Sequence, residues 1–175
     1  EEAKIGTDWL LQTIFPDGER ALAVGYNIWR KNVLKDTNEA VKRSVSEKGP
    51  FENFLACSCL LAMKESYKNI DSIYSDWCFR IALLDYETAL KCYNDGIFTK
   101  RWGSNIDSQV AGIAASCSTK LYKITKDKKY IDDSIRFGNI IVSCQEKDYI
   151  DEFKTIRGFF YEDMEHSKMF TFEHR

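Results

Sequence analysis

Apolar residues recur at helical spacing through most of the chain, and the breaks between these runs are sharp. In the opening segment Ile5, Trp9 or Leu10, and Ile14 fall on one face of a helix over 1–15. FPDG at 15–18 stops it, because both Pro16 and Gly18 break helices. Periodicity then fails over 19–50. ALAVGYNIW at 21–29 is expected as a short extended segment, and 31–50 as an excursion containing one helical turn.

Pro50 suits the first position of a helix, and FENFLACSCLLAMKESY at 51–67 continues it with a strong apolar face. The run 69–96 predicts a second helix, with Asp71 or Ser72 as its cap and Gly96 at its exit. An irregular loop, IFTKRWGSN at 97–105, leads to a helix over 106–125 whose small residues allow close helix contact. The turn KDKK at 126–129 precedes a further helix over 129–146. A link this short forces the two helices to be antiparallel neighbours. From 147 onward the pattern is that of loop with a short β-hairpin. The class is therefore all-α, built of antiparallel helical hairpins in a single domain over 1–175. The spacing of the common 34-residue helical repeat is absent.

Composition narrows the function. With 25 basic and 27 acidic residues the formal charge is −2, which gives no electrostatic case for nucleic acid or an anionic membrane. No apolar run reaches the ~20 residues of a membrane span, and the acidic opening is no signal peptide. The six cysteines, Cys57, Cys59, Cys78, Cys92, Cys117 and Cys144, form no CxxC pair and sit among apolar or small residues. They read as buried free thiols rather than zinc ligands or a disulfide framework, which points to a reducing, cytoplasmic setting. No metal or cofactor is expected.

The reactive residues gather in GFFYEDMEHSKMFTFEHR, 158–175, which holds both histidines, His166 and His174. This tail resembles a loop of bacterial six-hairpin glycosidases that runs G-F-F-Y, then polar residues, then an aromatic-rich strand ending in His-Arg. EEAKIGTDWLLQT at 1–13 resembles a helix opening in family-nine-like glycoside hydrolases of that superfamily, although Ile5 stands where tryptophan is frequent. AGIAASCSTKLYKITKDKKYIDDSIRFGNIIVSCQE at 111–146 resembles one of its hairpins. The resemblance implies an α/α toroid, of which this chain spans about half. The acidic motif expected before the first helix and the C-terminal acid would both be missing. It also implies a periplasmic or secreted protein, and a half ring exposes an apolar seam through which a homo-oligomer would form.

Glycoside hydrolysis needs two carboxyls, one protonated as acid and one ionised. Glu162, Asp163, Glu165 and Glu173 have the right chemistry, and a hairpin would bring Asp163 toward Glu173. Asp163 or Glu165, with His174, form the candidate catalytic set. For His166, a sugar-hydroxyl contact or acid–base role competes with an exposed or structurally hydrogen-bonded side chain, and the latter weighs slightly more. Arg175 could fork onto a substrate carboxylate. Tyr161 and Trp102 are the candidate sugar platforms, ahead of Trp29, Phe159 and Phe160. Asp107 serves equally as a first-turn acid or a ligand. The substrate expected is an oligo- or polysaccharide. Two rivals remain: a polysaccharide lyase using Tyr161 and His174, with Arg175 on a uronic carboxylate, and a non-catalytic helical binding or assembly domain.

Overall fold

The computed structural model describes residues 1–25, 43–98 and 106–169. Among them are five helices: α1 Glu2–Gln12, α2 Pro50–Tyr67, α3 Ser72–Asn94, α4 Asp107–Thr125 and α5 Lys128–Ser143. Strands β1 Arg20–Gly25 and β2 Arg43–Glu47 pair antiparallel in a two-stranded ribbon. The all-α reading holds, with the ribbon as its one addition. The described part of the extended segment expected over 21–29 is strand, β1, while 26–29 and the helical turn expected after residue 31 fall on positions 26–42, outside the described residues. Its partner β2 lies where an irregular excursion was expected.

Local chemistry sets the helix ends. Pro50 occupies the first turn of α2, where its missing amide hydrogen costs nothing. Asp71 caps α3 by accepting the Tyr74 amide at 3.0 Å, and Asp127 caps α5 through the Lys129 amide at 3.0 Å. Gly96 leaves α3 at φ 68°, and Lys126 closes α4 in the left-handed region.

Helices α2 and α3 form one antiparallel hairpin: Ser75 Oγ donates to the Lys64 carbonyl at one end, and Phe54 meets Tyr86 at the other. Helices α4 and α5 form a second. The two hairpins stand side by side in the same sense. Along α2 and α4, Phe54 pairs with Cys117 and Ser58 with Lys120. Along α3 and α5, Glu87 pairs with Lys129 and Asn94 with Arg136. Both sets ascend together, so like helices are parallel neighbours. Where the hairpins meet, Phe54 lies edge-on to Tyr86 at 5.6 Å and to Phe137 at 5.7 Å, all three fully buried. Ala82, Ala89, Ala111 and Ala114 are completely buried and let the backbones approach. Five of the six cysteines are buried and all are free, but Cys59 is exposed, because it falls on the opposite face of α2 from Cys57.

Helix α1 packs on α2 and α3, where Tyr74 donates its hydroxyl to Asp8 at 2.8 Å. A buried polar fork then fixes the ribbon to the helices. Arg20 donates to Asp85 through Nε at 2.6 Å and Nη2 at 2.5 Å, and to the Leu10 carbonyl through Nη1 at 2.8 Å. Asn53 adds an amide hydrogen to Asp85 at 2.8 Å and holds the Gly18 carbonyl and Gly49 amide. Burial pushes the Asp85 carboxyl up, against the guanidinium and amide that pull it down. No helix among the described residues is long and apolar enough to cross a membrane.

Candidate functional site

After α5 the chain folds back over the end of its own hairpin. The Glu146 amide donates to the Phe159 carbonyl at 2.9 Å, and the Tyr161 amide to the Cys144 carbonyl at 2.8 Å. Isolated bridges join Gln145 to Phe160 and Tyr161 to Met169. The expected tail hairpin is thus present as single bridges rather than as a ladder. The Ser108 amide donates to the Glu162 carbonyl at 3.3 Å, which lays the acidic turn 162–165 against the N-terminus of α4.

That docking produces a carboxylate cluster. Asp107, in the first turn of α4, feels both Glu165 and Asp163. Burial raises its carboxyl above the ordinary range, and the two neighbouring negative charges raise it further. The Cys144 thiol beside them is pushed up to about 11, first by burial and then by Asp107, Asp163 and Glu165. Asp163 moves the other way. The Ser167 hydroxyl and amide both donate to it, the amide at 3.0 Å, and hold its carboxyl below the usual range. Glu165 is exposed. Glu162 is paired with Lys168 at 2.8 Å.

Tyr161 and His166 form a second unit beside the cluster. Their rings stack at 4.2 Å and 14°, so one face of Tyr161 is covered. The Tyr161 hydroxyl donates to Glu146 at 3.0 Å, and His166 Nε2 lies 2.8 Å from the Ser143 carbonyl. Burial and the Glu146 carboxylate raise the phenol. Glu146 is lowered, chiefly by the Asp148 amide and then by Tyr161. This is the structural hydrogen bond weighed above for His166, and its backbone at φ 59° turns the chain there.

Asp163, Glu165, Tyr161 and His166 are therefore brought to one end of the α4–α5 hairpin. Trp102, His174 and Arg175, with Trp29 and Glu173, lie outside the described residues. Sequence reasoning missed that Asp107 joins the tail acids. The only signal was its place at a helix start, which does not reveal a neighbour 56 residues on. Among the described residues no three His, Cys, Asp or Glu side chains converge so as to hold a metal ion. Comparison with known proteins gives no matching family model, no matching curated protein and no matching solved structure.

Proposed function

We propose that the chain is part of a carbohydrate-active α/α toroid, a glycoside hydrolase of the six-hairpin kind, cleaving an oligo- or polysaccharide with paired carboxyls. The observation that carries this reading is the divergence of neighbouring acids. Asp107 is held toward its protonated form while Asp163 is held ionised. Two carboxyls pushed apart in this way divide acid from base. Asp107 takes the role of proton donor. Asp163, which the Ser167 hydroxyl and amide hold below the usual carboxyl range, takes that of the ionised partner. Glu165, exposed on the same turn, is the alternative second carboxyl. His174 remains a proposed catalytic group, and Trp102 and Arg175 proposed contacts to the sugar. The parallel arrangement of successive hairpins supports the toroid, because a ring of this type repeats that step.

The test is release of reducing ends from a panel of oligosaccharides. Asp107→Asn and Asp163→Asn are each expected to cost about 100-fold or more in kcat, with the helical fold retained. Activity equal to the parent in both variants removes the assignment. The lyase reading loses support from Tyr161, whose raised, hydrogen-bonded phenol makes a poor base.

A role in assembly has its own support. Ile5 and Trp9 on α1, and Ile73 and Trp77 on α3, are 70%, 41%, 81% and 38% exposed. They lie on the two helices that meet at Asp8 and Tyr74. Such a face fits a homo-oligomeric contact. Light scattering is expected to find an oligomer that Ile73→Lys converts to monomer. A parent chain that stays monomeric at high concentration rules this out.

A further inference from the structure

A cavity of about 410 Å³ opens between the C-terminal halves of α2 and α4. Asp107 begins α4 and Lys120 lies 13 residues further along the same helix, about 20 Å away. The cavity is thus remote from the carboxylate cluster. Its floor is apolar, formed by buried Leu61 and half-buried Ile124. Its walls carry Lys64, Lys68, Lys120 and Lys123, with Glu65 as the one acid. Glu65 is already shared: Lys64 reaches it at 2.8 Å and Lys68 at 3.0 Å. Lys120 is half-buried, yet among the described residues its ammonium finds only the Ser58 hydroxyl, at 2.9 Å. No carboxylate among the described residues pairs with Lys123.

Four ammoniums against one carboxylate leave three positive charges. Lysines near helix C-termini also offset helix dipoles, but two such ends together carry only about one negative charge. Roughly two positive charges therefore remain unneutralised around an apolar floor. Arginine forks onto carboxylate and phosphate alike, whereas lysines act as point charges, and several converging ones match the charge of a dianionic phosphate. The lining contains lysine and no arginine. The volume lies within the range of small-molecule pockets, which combine apolar walls with a few placed polar groups.

We infer that this cavity binds a compact phosphomonoester, its dianionic head held by Lys120, Lys123 and Lys64 and its carbon body lying on Leu61 and Ile124. The inference stands apart from the hydrolase reading, since it uses no residue of the carboxylate cluster. Calorimetric titration of the full chain with phenyl phosphate tests it, with inorganic phosphate and phenol as comparison ligands. Saturable one-to-one binding is expected, tighter than for either comparison ligand. Lys120→Gln with Lys123→Gln should weaken it by about tenfold or more, the loss expected for a charge-assisted contact. Lys123→Gln alone, at an exposed position, should weaken it measurably with an unchanged melting curve. Asp107→Asn should leave it intact. Absence of saturable binding, equal binding of inorganic phosphate, or unchanged affinity in Lys123→Gln would each overturn the inference.

Discussion

Replacing Arg20 by methionine keeps most of the buried volume and removes the charge that faces Asp85. In the parent, Arg20 and Asp85 are 2% and 0% exposed, so neither side chain can turn to water. The variant loses both bonds of the fork and the bond to the Leu10 carbonyl, leaving the Asn53 amide as the donor that remains to Asp85. Breaking a buried pair from one side costs about 3–5 kcal/mol. That is a large share of the ~5–15 kcal/mol a domain possesses. The shortfall has a defined pH dependence. Without its counter-charge the folded Asp85 carboxyl rises well above its unfolded value of about 3.9. A group raised on folding favours the fold below its unfolded value, and that advantage disappears as pH climbs through the folded one. Burial already raises Asp85 in the parent. The deficit of Arg20→Met is therefore smallest at low pH, where the carboxyl is protonated in both proteins. It widens by at most about 1.4 kcal/mol per pH unit once pH passes the parent's folded value, levelling when the variant's carboxyl has ionised. Urea unfolding followed by far-ultraviolet circular dichroism at several pH values measures this. The double variant Arg20→Met, Asp85→Leu should regain most of the loss, because no charge is left stranded. An Arg20→Met deficit below about 1 kcal/mol at pH 7.5, or a double variant as weak as the single one, refutes the reasoning.

Three further outcomes follow from the packing and the acids. At Gly18, φ is 85° and an added Cβ would lie 2.0 Å from Thr88 Oγ1, so Gly18→Ala should cost about 2 kcal/mol or more in thermal unfolding, and Thr88→Ser should not rescue it. Native protein treated with iodoacetamide at pH 7.5 should gain one adduct, at exposed Cys59, slowly because partial burial raises its thiol, while buried Cys144, whose thiol sits up at about 11, stays unmodified in the mass spectrum. Asp107→Asn should stabilise the fold above the ordinary carboxyl range, by less than about 1 kcal/mol after solvent screening. Because the folded Asp107 is raised, that gain should vanish as pH falls toward 4, which paired melting curves at pH 4 and 7.5 can follow.

The helices were legible because their signals are local. Pro50, Asp71 and Gly96 each act within a turn of themselves, and each stands at the end it predicts. The ribbon was half legible. ALAVG reads as extended, but its partner RSVSE shows only weak alternation and pairs across a long connection. Arg20 gave no warning of burial, since one arginine beside a turn normally faces water. The site divides in the same way. The density of acids and aromatics after Gly158 was plain in the sequence, whereas for His166 a structural role was only slightly favoured over a sugar contact. The docking of that tail on α4 was not, because it rests on a backbone bond from Ser108 to Glu162 that no side-chain pattern encodes. Cys59 failed for a simpler reason: neighbouring cysteines two apart on a helix face different ways.

The fork between Arg20 and Asp85 joins residues 65 apart, while each helical hairpin closes within its own neighbourhood. Contacts of long sequence separation form late, because their loop entropy must be overcome first. The local hairpin of α2 and α3 is therefore expected to form first, with α1 and the ribbon docking onto it afterwards. Interactions absent from the transition state govern escape from the native state rather than entry into it. Arg20 accordingly works as a latch: its loss should leave the refolding rate nearly unchanged and shorten the lifetime of the folded chain.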